Sequence, residues 1–301
     1  MDALVKLNSL PSQLYLYLLV EVGIAMAFVT LIKWLNGVLS KNSVTEELGV
    51  KDNFAFGISV ASSILALTIV VSAVAGRHVG HGIEQAAVGM TVFGIVGLIL
   101  VKFGRYAQDK LVLDKLDTQA QVLARNHSVA IADAANLIAS AIILASTVKW
   151  VQGTDVNAII GVVTGFLVVQ TVLIIATRIH EWRYARDNQN SSFQDALTKG
   201  QLALAIKHAG HLIGTAVIVT SAGHILAYSP NGYVSNVTGW LIVSVILSVA
   251  LSLLVGVSKR IVLFGMDSDK EIDQQENVGV ACVELTLSLG LAFLINGVLG
   301  F

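Results

Sequence analysis

Eight long apolar stretches constrain the fold of this 301-residue chain more than any other feature of its sequence. A helix needs about 20 mainly apolar residues to cross the ~30 Å hydrocarbon core of a bilayer. The stretches lie near residues 14–36, 53–75, 85–103, 127–148, 157–177, 201–225, 237–257 and 277–299. They predict an all-α polytopic membrane protein with eight transmembrane helices. Because the first stretch contains Glu21 and reaches Lys33 without a small-residue cleavage site, we expect it to be a span and not a removed signal.

The composition excludes several classes of function. Only 13% of the residues are charged and the net charge is -1, so the chain has no basic excess for a phosphate backbone and we expect no nucleic-acid partner. The single cysteine, Cys282, cannot form an intrachain disulfide or a thiolate metal cluster. The sequence contains no nucleotide-binding glycine loop, no HExxH and no Gly-x-Ser-x-Gly elbow. We therefore expect neither an enzymatic activity nor a cofactor.

The distribution of Lys and Arg predicts the orientation. Fifteen of these residues lie in or beside the connections that follow spans 1, 3, 5 and 7, and the opposite side has only Lys6, Arg77 and Lys149. Since cytoplasmic loops carry the excess of basic residues, both termini are expected on the non-cytoplasmic side.

A short motif recurs at the start of every even-numbered span, preceded each time by a connection from an odd-numbered span. Its residues are Asp52-Asn53, Arg125-Asn126, Gly200-Gln201 and Glu276-Asn277, with successive spacings of 73, 75 and 76 residues. Each unit is one helical hairpin that enters and leaves on the same side, which predicts four parallel helical-hairpin repeats. The simplest role for the motif is capping, because Asn side chains accept hydrogen bonds from free backbone N–H groups at a helix start. Two hairpins form each half of the chain, residues 1–150 (spans 1–4) and 151–301 (spans 5–8).

The even spans are rich in small residues at four-residue spacing, such as Gly57 with Ala61, Ala135 with Ala139, and Gly210 with Gly214. Small residues let helix backbones approach closely inside a membrane. The odd spans are rich in Leu, Ile and Val. This contrast predicts an inner ring of spans 2, 4, 6 and 8 and an outer set of spans 1, 3, 5 and 7 that faces lipid.

The start motif, followed by a helix rich in small residues, resembles the YjfL-like inner-membrane family, which is catalogued as a domain of unknown function. The chain resembles two members fused in tandem, one in each half. The resemblance implies the bacterial inner membrane and an association with envelope stress, and together with the distribution of Lys and Arg it predicts that both termini are periplasmic. It implies neither a substrate nor a catalytic residue.

Ionisable residues recur at membrane depth in the even spans. The seventh residue after the capping position is Val60, Asp133, His208 or Glu284, and the tenth is Ser63, Asn136, His211 or Leu287. At 1.5 Å per residue these levels lie about 10 and 15 Å inside the helix start. Lys207 lies beside His208, and Glu21 lies in span 1. Intramembrane ionisable residues suggest a function because they are costly to insert, and imidazole titrates near neutral pH, so we interpret this set as a proton or ion path.

A static role for the same residues stays open. Asp133 could pair with Lys207 or with a protonated histidine only to fix the order of the helices. A weaker pattern lies on the opposite side, where His78, His81, Glu84 and His224 could bind Zn²⁺. Loop histidines are more often solvated. The 104–125 linker alternates apolar and charged residues, which predicts an amphipathic helix that lies on the bilayer or docks a partner.

Two functions follow from the sequence. The first is an inner-membrane ion or proton channel or transporter that uses the intramembrane His and carboxylate residues. The alternative is a structural or adaptor protein of an envelope-stress system. The expected partners are the lipid bilayer, a second copy of the chain and a cytoplasmic stress-system protein.

Overall fold

The computed structural model describes residues 10, 13–40, 42–77, 79, 81–153, 155–189 and 191–300. Eight helical segments in these residues are long and apolar enough to cross a membrane, which confirms the predicted number of spans. The helices are α1 (Leu14–Ser40), α2 (Phe54–Val74), α3 (Ile83–Leu111), α4 (Thr118–Leu123), α5 (His127–Trp150), α6 (Val156–Asp187), α7 (Phe193–Thr198), α8 (Leu202–Thr220), α9 (Ala222–Ile225), α10 (Tyr233–Val262), α11 (Ser268–Asp273) and α12 (Val278–Leu299). We call α2, α5, α8 and α12 the core helices, and α1, α3, α6 and α10 the cover helices.

A short helix precedes each core helix. These linker helices are α4, α7 and α11, and a five-residue π-helix at Glu46–Val50 takes the same place before α2. We call the side of the bundle that carries them the linker side. The predicted amphipathic helix over 104–125 is wrong, because α3 continues to Leu111 and the chain turns before α4. Its apolar residues Val112 and Leu113 are buried against Phe193 and Leu197 of α7, so they are covered by the protein itself and do not meet the bilayer or a partner.

The start motif combines a left-handed residue with a helix cap. Asp52, Arg125, Gly200 and Glu276 all have positive φ, between 50° and 88°. Glycine adopts this conformation without a Cβ clash, which explains why the third repeat can have glycine where the others have a side chain. The next residue is the N-cap of the core helix in all four repeats.

The capping prediction is confirmed for three of the four repeats. The side-chain oxygens of Asn53, Asn126 and Asn277 accept hydrogen bonds from the backbone N–H three residues later, at 3.1–3.2 Å. Gln201 makes no such bond. Its longer side chain lies instead near Tyr184, whose hydroxyl donates to Gln201 Oε1 at 3.4 Å.

The capping asparagines also join consecutive repeats. Asn53 Nδ2 donates to the carbonyls of Val122 and Leu123, both at 3.3 Å, at the end of α4. Asn126 Nδ2 donates to the carbonyls of Leu197 and Thr198, at 3.0 and 2.9 Å, at the end of α7. Each of these asparagine side chains therefore forms hydrogen bonds with a free backbone N–H group at the start of its own helix and with free carbonyl groups at the end of the next linker helix.

The core helices pack side by side in the order α2, α5, α8, α12. The close approach of α8 and α12 depends on Gly210 and Gly214, because a Cβ at either position would collide with Leu285 or Ser288. The predicted inner ring is wrong, since α2 and α12 do not pack against each other and the row stays open. Each core helix packs on the next in a similar way. Three such contacts produce a row, because the last helix is not brought back into contact with the first. The cover helices contact one another in the order α1, α3, α6, α10, and α10 bridges α8 and α12.

Candidate functional site

The largest concentration of ionisable side chains surrounds a cavity of about 460 Å³ in the second half of the chain. The cavity lies among α6, α8, α10, α11 and α12. Its lining reaches from Asp269 on the linker side to Ser288. Ser288 is eleven residues beyond the cap Asn277, which places it about 16 Å along the helix at 1.5 Å per residue. The cavity therefore extends from the linker side to about the middle of the spanning segments.

A chain of ion pairs crosses the mouth of this cavity. Lys207 Nζ lies 2.8 Å from Asp269 Oδ1 and 3.1 Å from Asp273 Oδ1. Lys259 Nζ lies 3.0 Å from Asp269 Oδ1 and 2.6 Å from Glu284 Oε1, the latter as an ion pair without aligned hydrogen-bond geometry. Two lysines thus connect three carboxylates, and Glu284 is the deepest of them.

The two aspartates of α11 lie outside the spanning segments and titrate differently. Burial would raise the pKa of Asp269, but the ammonium groups of Lys207 and Lys259 outweigh it and lower that pKa to about 2. Burial raises the pKa of Asp273 above its ordinary value, although Lys207 opposes the shift. Asp269 is therefore the firmly ionised member of the pair.

Three histidines lie together between α6 and α8, at the inner wall of the cavity. The rings of His180 and His211 are stacked, with centroids 5.2 Å apart, and both line the cavity. His208 lies 5.6 Å from His180 and edge-on to Phe193 at 5.1 Å, and it is buried. The Nδ1 atoms of His180 and His208 have no hydrogen-bond partner among the described residues. These rings place imidazole nitrogens that lack a hydrogen-bond partner among the described residues next to a polar cavity.

The equivalent position in the first half is a simpler ion pair. Arg105 Nη2 on α3 lies 2.8 Å from Asp133 Oδ2 on α5, and the Ser59 hydroxyl on α2 donates to the same oxygen at 3.3 Å. Asp133 is 1% exposed. The pairing of Asp133 with Lys207 or a histidine, which the sequence left open, is wrong. A second cavity of about 310 Å³ lies beside Arg105 and Ser59, and its lining includes no residue of α8 or α12.

The predicted path residues are therefore divided among several places. His211, Lys207 and Glu284 line the large cavity, and His208 lies behind it. Asn136 and Ser63 are buried on α5 and α2, where the Ser63 hydroxyl donates to the Ser59 carbonyl. Glu21 lies on the side opposite the linkers and accepts hydrogen bonds from Gly76 N–H. In a row, unlike a ring, equivalent residues of neighbouring helices point in parallel directions and do not converge.

The predicted metal ligands do not form a site among the described residues. His78 lies outside the described part of the chain. Across the described ranges, no three His, Cys, Asp or Glu side chains are placed to hold a metal ion, and this includes His81, Glu84 and His224. His224 lies instead beside Gly300 at the end of α12.

Sequence reasoning missed the partners of the buried residues. Arg105 and Lys259 served there only as basic residues near span ends that indicate the orientation, and His180 was given no role. A signal was present, because Arg105 precedes Asp133 by 28 residues and His180 precedes His208 by the same 28. In both hairpins the cover helix supplies the side chain that meets the seventh residue of the following core helix.

Eight apolar helices with polar side chains gathered between them define a multi-pass helical membrane protein built from repeated hairpins. Residues 7–148 and 150–299 each match the family model described as Domain of Unknown Function (DUF350). The chain belongs to this family and contains two members in tandem, which confirms the expected fusion of two members of a family of unknown function. No curated protein and no solved structure matches the chain.

Proposed function

We propose that this protein moves protons or other small ions across a membrane, along a path that begins in the cavity of the second half. The observation that carries the proposal is a polar cavity that reaches mid-membrane depth and contains Glu284, the Lys207 ion pairs and the stacked histidines. Polar and ionisable residues inside a membrane usually face such a cavity when they serve transport.

The chemistry of the cavity suits proton movement. Carboxylates and imidazoles can each accept a proton and donate it again. His180 and His211 lie on the wall and His208 directly behind them, which sets three imidazoles in contact beside the cavity. Glu284 faces the same space from α12.

At Ser288, the deepest lining residue of the cavity on α12, α8 and α12 are in close contact. Gly214 lies against Ser288, and nothing larger than hydrogen fits at Gly214. We place the gate of the path at this contact. A small separation of α8 from α12 at this contact would extend the cavity past mid-depth.

Proton flux into proteoliposomes tests the proposal. Glu284→Gln should remove most of the flux, and His211→Ala should do the same. Asp133→Asn is the matched control, because Asp133 is also buried and ion-paired at the seventh position but does not line the large cavity. Thermal melting in detergent must be measured on all three variants. Unchanged flux for Glu284→Gln, with a lowered melting temperature, would refute the transport role and leave a structural one.

We further propose the bacterial inner membrane, with the linker side in the cytoplasm and both termini in the periplasm. The excess of Lys and Arg on the linker side supports the orientation, and the resemblance to inner-membrane proteins supports the choice of membrane. Single cysteines at Ser43, Asn188 and Asp269, in a background without Cys282, should react only with reagents that reach the cytoplasm. A cysteine at Ser229 should react from outside, and labelling of Ser229 from the inside alone would reverse the orientation.

A structural role in an envelope-stress system is the second candidate. The observation that favours it is that the acids at the seventh position, Asp133 and Glu284, each meet a cation from the cover helix of their own hairpin. Such a repeated pair could serve only to hold each hairpin together. The flux and melting measurements on Glu284→Gln separate this candidate from transport.

A further inference from the structure

Each end of the core-helix row exposes a helix face. In the other core helices, the equivalent face is buried against a neighbouring repeat. The repeats can be aligned by counting from the cap residues Asn53, Asn126, Gln201 and Asn277. The structure then shows which positions of each core helix meet the preceding and the following repeat.

One face of each core helix is turned toward the following repeat. In α8 this face contains Gly210 and Gly214, which contact Leu285 and Ser288 of α12 directly. The equivalent residues of the other core helices are small as well, and they are Ser62 with Ala66, Ala135 with Ala139, and Thr286 with Gly290. The pairs in α2, α5 and α8 are buried, whereas Thr286 and Gly290 of α12 are exposed. A Cβ at Gly290 would meet nothing within 4 Å.

The opposite face receives the preceding repeat, and it is free at the other end of the row. At the fifteenth residue after the cap, Ala141, Ala216 and Ala292 are fully buried, but the equivalent Thr68 of α2 is exposed. At the eighth residue, Ala61 of α2 is exposed where Ala134 and Ala209 are buried. The free face of α2 is thus the counterpart of the face that α12 uses to receive α8.

The asparagine links on the linker side end at the same two places. Asn277 Nδ2 donates to Glu271 and, within the described chain, reaches no following linker helix, unlike Asn53 and Asn126. The carbonyls that would accept from it belong, by spacing, to Gly49 and Val50. Gly49 is exposed, whereas the equivalent Val122 and Leu197 are buried.

We infer that the free face of α12 binds the free face of α2 in a second copy of this chain. The contact continues the interface that already joins α2 to α5, α5 to α8 and α8 to α12. It places Thr286 against Ala61 of the second copy and Asn277 near its Gly49 and Val50. Because the two faces differ, the contact is head-to-tail, and repetition closes a ring or extends the row. Close backbone approach at small residues supplies the packing that lipid cannot match.

Disulfide cross-linking in native membranes tests the contact. Two differently tagged full-length chains, both with Cys282→Ser, are co-expressed, one with Thr286→Cys and the other with Ala61→Cys. We expect a mixed-tag dimer at least tenfold above the level given by either variant alone. The control replaces Thr286→Cys with Leu253→Cys on α10, which is also exposed but lies outside the row, and it should give no dimer.

Two outcomes would overturn the inference. Dimers from Thr286→Cys alone would show a symmetric contact between two α12 faces, and no dimer from the mixed pair would show that lipid covers both ends. A second variant guards against an unfavourable cysteine geometry. Gly290→Leu should abolish self-association measured by single-molecule photobleaching while the melting temperature of the monomer stays the same, because the position is open in the monomer. Unchanged association for Gly290→Leu would also contradict the inference.

Discussion

The buried ion pair between Arg105 and Asp133 should hold the first half of the chain together, and its two members should not be equally costly to remove. Asp133 is 1% exposed and Arg105 is 21% exposed, beside the smaller cavity. Replacing Arg105 with Met leaves the carboxylate buried with only the Ser59 hydroxyl at 3.3 Å. Stranding one charge of a buried pair costs about 3–5 kcal/mol. Arg105→Met should therefore lower the free energy of unfolding by about that amount.

Replacing Asp133 with Asn should lower the free energy of unfolding by less than Arg105→Met does. The amide oxygen of Asp133→Asn can still accept from Arg105 and Ser59, and Arg105 keeps partial access to the cavity. What is lost is the negative charge of the acceptor in these two hydrogen bonds, worth about 1–3 kcal/mol. The double variant Arg105→Met with Asp133→Val removes both charges. It should recover most of the free energy of unfolding that Arg105→Met loses, because valine already occupies the equivalent position at Val60.

The assay is unfolding by sodium dodecyl sulfate in mixed micelles, followed by circular dichroism, on the wild type and the three variants. The coupling between the two substitutions isolates the pair from the effects of each side chain alone. A double variant no more stable than Arg105→Met would refute this reasoning. So would an Asp133→Asn variant that is less stable than Arg105→Met.

Three further results follow from the start motif and the cavity mouth. Asn126→Ser keeps a capping hydroxyl but loses the amide bonds to the α7 carbonyls, so it should destabilise by about 1–3 kcal/mol in the same unfolding assay. Asn277→Ser loses only the amide bond to the Glu271 carboxylate within its own repeat and should cost less, and equal losses would contradict a link between repeats. Gly200→Ala should cost about 1–2 kcal/mol, because alanine is strained at φ 88°, and a neutral result would argue against that backbone conformation. The folded pKa of Asp269 is about 2, below its unfolded value of 3.8, so its stabilisation is present above about pH 4 and is lost as pH falls toward 2. Melting temperatures of the wild type and Asp269→Asn should therefore differ near neutral pH and converge in acid, and a constant difference would disprove the pairing.

The spans and the repeat could be predicted from the sequence because both are local properties. A bilayer imposes a minimum apolar length, so the eight helices follow from hydropathy alone. A capping asparagine acts on its own helix, so Asn53, Asn126 and Asn277 identify three of the four core-helix starts without any knowledge of packing. The family model matches twice in tandem, at 7–148 and 150–299, as the repeat predicts.

The partners of the buried charges could not be predicted in this way. Asp133 meets Arg105 and Glu284 meets Lys259 across 28 and 25 residues of intervening chain, and basic residues near a span end look the same whether they face water or a buried acid. His180 joins His208 and His211 only because α6 packs beside α8.

The sequence by itself determined that small-residue faces bring the core helices together, since glycine and alanine permit close approach wherever a partner helix lies. Only the tertiary structure decided that these helices form an open row and not a ring. The difference arises from the rotation between neighbouring repeats, a property of side-chain packing that no periodicity in the sequence encodes. In the open row Asp133 meets Arg105, Glu284 lines the large cavity, and Thr286 and Thr68 lie at the two uncovered ends.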